Sequence, residues 1–93
     1  MSDILVVDDE VDICDLVAGI LEDEGHTTRS ANDADSAFAR VNERQPDAVI
    51  LDIWLKGSRM DGIQILKELK LSHPDLPVIV ISGHGNIELA VTA

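Results

Sequence analysis

The sequence is short of cysteine, of basic residues and of long apolar runs, and each shortage excludes something. A single cysteine, Cys14, rules out an internal disulfide framework and fits a reducing compartment. Its neighbours place it in a helix interior, as a packed thiol rather than a redox centre. Lys and Arg number 7 against 18 Asp and Glu, a formal net charge of −11. A phosphate backbone would be repelled by such a surface, so no nucleic-acid binding is expected of this segment. An acidic chain suits cations and basic partner patches instead. No apolar stretch approaches the roughly 18 residues of a membrane span. The N-terminus runs from Met1-Ser2-Asp3 straight into ILVV, without a basic leader or a small-residue cleavage site. A cytoplasmic location is the expectation. GxxxxGK[ST] is missing, which excludes a P-loop nucleotide binder.

What is present is periodic. The 93 residues, 45% of them hydrophobic, suffice for one domain with one modest core, spanning 1–93. Ile4-Leu5-Val6-Val7, Ala48-Val49-Ile50-Leu51 and Val78-Ile79-Val80-Ile81 are continuous apolar runs, the mark of strands covered on both faces. Thr27 to Ala31 is a more polar candidate strand, placed at a sheet edge. Between them lie helical patterns. Ile13, Leu16, Val17, Ile20 and Leu21 follow the spacing of one buried stripe, closed by Gly25. Asn32 or Asp33 can cap a second helix with Ala34, Ala37, Phe38 and Val41 on its inner face. A third spans about Ile63 to Ser72, burying Ile65, Leu66 and Leu69 ahead of Pro74, with Asp61 as its cap. A fourth is expected from Asn86, with Ile87, Ala90 and Val91 as its apolar positions.

The order is βαβαβαβα, without linkers, repeats or low-complexity tracts. Right-handed crossovers then favour an α/β fold, a flavodoxin-like doubly wound parallel sheet of strand order 2-1-3-4. Polar residues collect at the carboxyl ends of its strands: Asp8, Asp9 and Glu10 after the first, Asp52 in the third, Ser82 and then Gly83-His84-Gly85 after the fourth. Strand order reverses between the first and third strands, where such sheets bind ligands, so Asp8 and Asp9 should lie beside Asp52. One strand-end Asp is often only a cap or turn former. Three sites on one edge are harder to attribute to capping. Converging carboxylates repel, and a proton or a hard divalent cation such as Mg²⁺ relieves them.

The runs ILVVDDE, AVILDIW and VIVISGHG together resemble the receiver (CheY-like) domains of bacterial two-component response regulators, in particular the nitrogen-regulation branch. The resemblance covers the whole chain, and its motifs are specific only in combination. It implies that Asp52 is the phosphoacceptor, taking a phosphoryl group from the phosphohistidine of a sensor histidine kinase. It implies that Asp9 and Asp52 hold Mg²⁺ directly, Asp8 through water, and Trp54 through its backbone carbonyl. Ser82 matches the switch hydroxyl that turns toward the acyl phosphate. The side chains of Trp54 and His84 fall where receivers modulate water access to the phosphoryl group. The domain would not be an enzyme beyond its own phosphorylation and dephosphorylation, and would control a transcriptional output domain elsewhere.

Two departures stand out. Lys56 occupies the place of a common proline, and the stretch Lys56-Gly57-Ser58-Arg59-Met60-Asp61-Gly62 is longer than usual. The chain also stops before the fifth strand, with its phosphoryl-pairing lysine, and the fifth helix. Lys56, Lys67 and Lys70 sit on a loop and a helix and are not assigned that role. The truncation would leave the fourth strand as an open apolar edge, from which a homo-oligomer through that strand or the fourth helix is expected. The alternative function is a truncated receiver that acts as a phosphorylation-independent interaction module. A dehalogenase-type phosphatase would need a second Asp where Trp54 stands. His26, His73 and His84 lack ligand-like spacing, which disfavours zinc.

Overall fold

A computed structural model describes residues 2–52 and 62–81, together with the backbone of residues 87–90. The elements are β1 (Asp3–Val7), α1 (Val11–Asp23), β2 (Thr27–Ala31), α2 (Ala34–Glu43), β3 (Ala48–Asp52), α3 (Gly62–Ser72), β4 (Val78–Ile81) and β5 (Ile87–Ala90). They form one sheet ordered β2-β1-β3-β4-β5. The first four strands pair in parallel, in the 2-1-3-4 order read from the sequence.

Alternation along the strands divides the sheet into two faces. Leu5, Val7, Val49, Leu51, Val78 and Val80 turn toward α2 and α3, where they meet Ala34, Ala37, Val41, Ile65 and Leu69 in one buried cluster with Leu76. Phe38 and Leu66 pack against its margin. Full burial of an aliphatic side chain such as Leu5 or Leu51 contributes about 1.5–3 kcal/mol, which makes this face the main source of cohesion. Asp33 caps α2, its Oδ1 accepting from the Ser36 backbone N–H at 2.8 Å. Gly25, at φ 91°, ends α1. There the N–H of Gly25 donates to the Glu22 carbonyl and that of His26 to the Leu21 carbonyl, both at 3.0 Å. This pair of bonds is a Schellman motif, and the left-handed residue it needs is the reason for a glycine.

The opposite face carries α1 alone, and here the structure departs from the expected stripe. Cys14 is buried, whereas Leu16 is 61% and Ile20 58% exposed. Ile13 is also exposed, and Val17 and Leu21 are half-buried. The helix turns its Cys14 side to the sheet, over the buried Ile4 and Val6 of β1. Periodicity located an apolar arc correctly but could not say which part of it meets the sheet.

The last strand is the second departure. Ile87–Ala90, expected as the start of a fourth helix, is a strand antiparallel to β4, with Ile81 opposite Ile87 and Val78 opposite Ala90. The expected open edge at the fourth strand is therefore closed. An apolar β-branched edge is a strong template for pairing, and here it captures the segment nearest in sequence.

At the amino ends of the strands the sheet is fastened by charge. Arg29 of β2 donates through Nε and Nη2 to the Asp3 carboxylate, at 3.2 and 2.8 Å. Its Nη1 and Nη2 also reach the Arg40 and Arg44 carbonyls, at 2.8 and 2.7 Å, at the end of α2. Arg44 Nε adds a 2.9 Å bond to Asp3. One guanidinium thus joins β1, β2 and the carbonyls that α2 leaves unpaired.

Candidate functional site

At the carboxyl ends of the strands the arrangement is the reverse. The β1–β3 register sets Val7 beside Leu51, so the next residue of each chain segment, Asp8 and Asp52, lie next to one another at the point where strand order reverses. Carboxylate oxygens of Asp8, Asp9 and Asp52 all lie within 4.8 Å of one another. No lysine or arginine is paired with them in an ion pair among the described residues.

Asp8 is the buried member, at 8% exposure, while Asp9 and Asp52 are half-buried. Its carboxyl is pushed up to about 6. Burial is the largest cause, followed on the raising side by the charge of Asp52 and by a hydrogen bond and charge from Asp9. The Glu10 N–H, donating to Asp8 Oδ1 at 2.9 Å, opposes the rise without cancelling it. Glu10 occupies the N-cap position of α1 but makes no side-chain cap. The electrostatic need is for a cation, and the donors are hard carboxylate oxygens of the kind that Mg²⁺ accepts.

The loop that bears Asp8 is pinned from several sides. Its N–H donates to the Ala31 carbonyl at 3.0 Å. Its own carbonyl accepts from Asn32 Nδ2 at 2.9 Å and from the Cys14 thiol at 3.5 Å. Cys14 is the packed thiol that its context suggested, and burial followed by the Asp8 charge raises its pKa. The part played by Asn32 was not legible: the sequence offered it only as a rival to Asp33 for the α2 cap. Trp54, Ser82 and His84, and the loop residues Lys56 to Asp61, lie outside the described residues. Lys67 is exposed, and Lys70 Nζ donates to the Leu76 carbonyl at 2.7 Å, a structural contact at the end of α3.

A switch-point carboxylate triad on a 2-1-3-4 sheet defines the class. The chain belongs to the response regulator receiver domain family, which matches residues 4–93. Its relatives narrow this further. It is 60% identical over 91 residues to the nitrogen assimilation regulatory protein NtrX of Azorhizobium caulinodans, covering 98% of this chain and 20% of that protein. The crystal structure of the receiver domain of NtrX from Brucella abortus superposes with a TM-score of 0.86 at 70% identity, over 90% of this chain and 70% of that one. The response regulator TrrA from Thermotoga maritima, in complex with Mg²⁺ and BeF, matches with a TM-score of 0.82 at 31% identity, over 90% of this chain and 73% of that one. The chain spans about a fifth of the length of the curated relatives it matches. Among the described residues, no helix is long and apolar enough to cross a membrane.

Proposed function

We propose that this chain is a phosphoacceptor domain of the nitrogen-regulation type, which takes a phosphoryl group from a sensor histidine kinase onto Asp52 in a Mg²⁺-dependent reaction. The observation that carries the reading is the meeting of Asp8, Asp9 and Asp52 at the switch point. An Asp52 carboxylate oxygen attacks phosphorus in line, forming the O–P bond as the P–N bond to the kinase histidine breaks. The histidine nitrogen keeps the electron pair. Asp9 and Asp52 would hold the cation directly, Asp8 through water, with the backbone carbonyl of Trp54 as a further donor. Bound there, Mg²⁺ neutralises the equatorial phosphoryl oxygens and lowers the repulsion that an anionic nucleophile otherwise meets. Asp8 acts from behind by holding negative charge where the ion sits, and it gives up its proton when the ion arrives.

Ser82 supplies the hydroxyl that registers the acyl phosphate, and the side chains of Trp54 and His84 govern access of water to it. The domain performs only its own phosphorylation and dephosphorylation, in the cytoplasm, and controls transcription through a segment beyond this one. Self-association belongs to the same proposal, although not through a bare β4 edge. The phosphorylation-independent reading gains nothing from the site, because a plain interaction module has no use for three crowded carboxylates.

Trp54 is the only tryptophan and the chain has no tyrosine, so its fluorescence reports directly. Titration with Mg²⁺ should give a saturable change. Subsequent beryllofluoride should add a second change in the wild type and none in Asp52→Asn. Silence to both ligands in a protein shown to be folded by circular dichroism would overturn the proposal.

A further inference from the structure

The segment at β5 follows two opposed instructions. Ile87, Ala90 and Val91 have the i, i+3, i+4 spacing of a helix face, behind Asn86, a good cap residue. Glu88, Leu89 and Ala90 are strong helix formers, and Glu and Ala are disfavoured in strands. Yet Ile87–Ala90 is a strand, and the one antiparallel member of an otherwise parallel sheet.

The strand is imposed by its neighbour. β4 is the run Val-Ile-Val-Ile, and it pairs residue for residue with 87–90 from Ile81↔Ile87 to Val78↔Ala90. Without β5, β4 would present an apolar β-branched edge, and such an edge recruits whatever extended backbone lies nearby. The competing helix is short, and helices below about 12 residues are marginal without packing. Neither state then holds a large advantage, and the local preference conflicts with the global one.

We propose that Ile87–Ala90 is a two-state segment, a strand while the outer edge of β4 is free and a helix when another strand occupies that edge. In the strand state the segment shields β4. In the helical state β4 is an acceptor for an extended, β-branched segment added alongside it. The segment thereby couples the occupancy of the sheet edge to the backbone that follows the fourth strand.

Amide exchange and relaxation dispersion by NMR on the 93-residue chain test this directly. Amides of Ile87–Ala90 should exchange ~100-fold or more faster than those of Val49–Leu51, as expected of an element that opens separately from the core. The minor state should carry helical ¹³Cα shifts. Ala90→Val trades a helix former for a strand former and should reduce the helical population at least about threefold. Ile87→Leu should raise it. Protection of 87–90 within tenfold of β3 would overturn the proposal. So would a minor state with random-coil shifts, which would show simple fraying. Both readings come from the wild type and do not depend on the variants folding.

Discussion

β1 begins with one aspartate and is followed at its other end by another, and the two are treated in opposite ways. At Asp3, burial alone would raise the carboxyl, but hydrogen bonds and charge from Arg29 and Arg44 outweigh it and hold the group below its ordinary value. At Asp8, burial acts with the neighbouring carboxylates, and the group rises to about 6. Five residues apart on the same strand, one charge is satisfied by the fold and the other is left to a ligand. The amino end of this sheet is built for stability. The carboxyl end carries a stability deficit of the kind that functional sites concentrate.

The largest effect should come from breaking the satisfied end. Arg29→Met removes both hydrogen bonds to Asp3 and the donors to the Arg40 and Arg44 carbonyls. It should lower stability by about 2 kcal/mol in urea unfolding, because a largely buried carboxylate loses most of its compensation. A change below about 0.5 kcal/mol would show that the lock contributes little.

Relieving the strained end should act in the other direction. Asp8→Asn keeps an oxygen for the Glu10 N–H but removes a charge, so the metal-free protein at pH 7 should melt roughly 4–8 °C higher, the shift for about 1 kcal/mol in a domain of this size. The same variant should lose most of the thermal stabilisation that Mg²⁺ gives the wild type. The pH dependence follows in sign. The folded Asp8 carboxyl, at about 6 against an ordinary 3.8, binds its proton more tightly than the unfolded chain does. Its contribution therefore falls as pH rises from about 4 to about 6 without metal, and that slope should vanish in Asp8→Asn. Asp3, lowered instead, loses its contribution only as pH falls below its ordinary 3.8, so the two windows separate. Parallel melting profiles for wild type and variant between pH 4 and 6 would remove the case for crowding.

The smallest effect belongs to the outer arginine. Arg44 is 63% exposed, and water screens its bond to Asp3. Arg44→Ala should change stability by about 0.5 kcal/mol or less. A loss equal to that of Arg29→Met would mean that the two arginines act as one unit, and a double-mutant cycle would measure the coupling.

What was legible in the sequence divides along similar lines. The three apolar runs and Thr27–Ala31 became β1 to β4, because a strand buried on both faces leaves an uninterrupted signal. The convergence of Asp8, Asp9 and Asp52 was also legible, since strand order alone carries those positions to one edge. The lock of Arg29 on Asp3 was not, because its partners stand 26 residues apart and no local pattern links them. The exposure of Leu16 and Ile20 was hidden for a related reason: periodicity describes a helix, not what covers it. Ile87–Ala90 was misread because the edge of β4 overrode a sound local signal.

The pinning of the Asp8 peptide has a consequence for which ions the site prefers. With its N–H held by Ala31 and its carbonyl by Asn32 and Cys14, this peptide has little freedom to shift as a cation enters. A ring with a fixed bore discriminates by radius. Mg²⁺ demands oxygens at about 2.0–2.1 Å in near-octahedral array, whereas Ca²⁺ prefers about 2.3–2.6 Å and a larger, more pliant shell. A buried thiol that touches no reacting atom thus helps to gauge ionic size, and a looser residue at position 14 would blunt that discrimination before it weakened the fold.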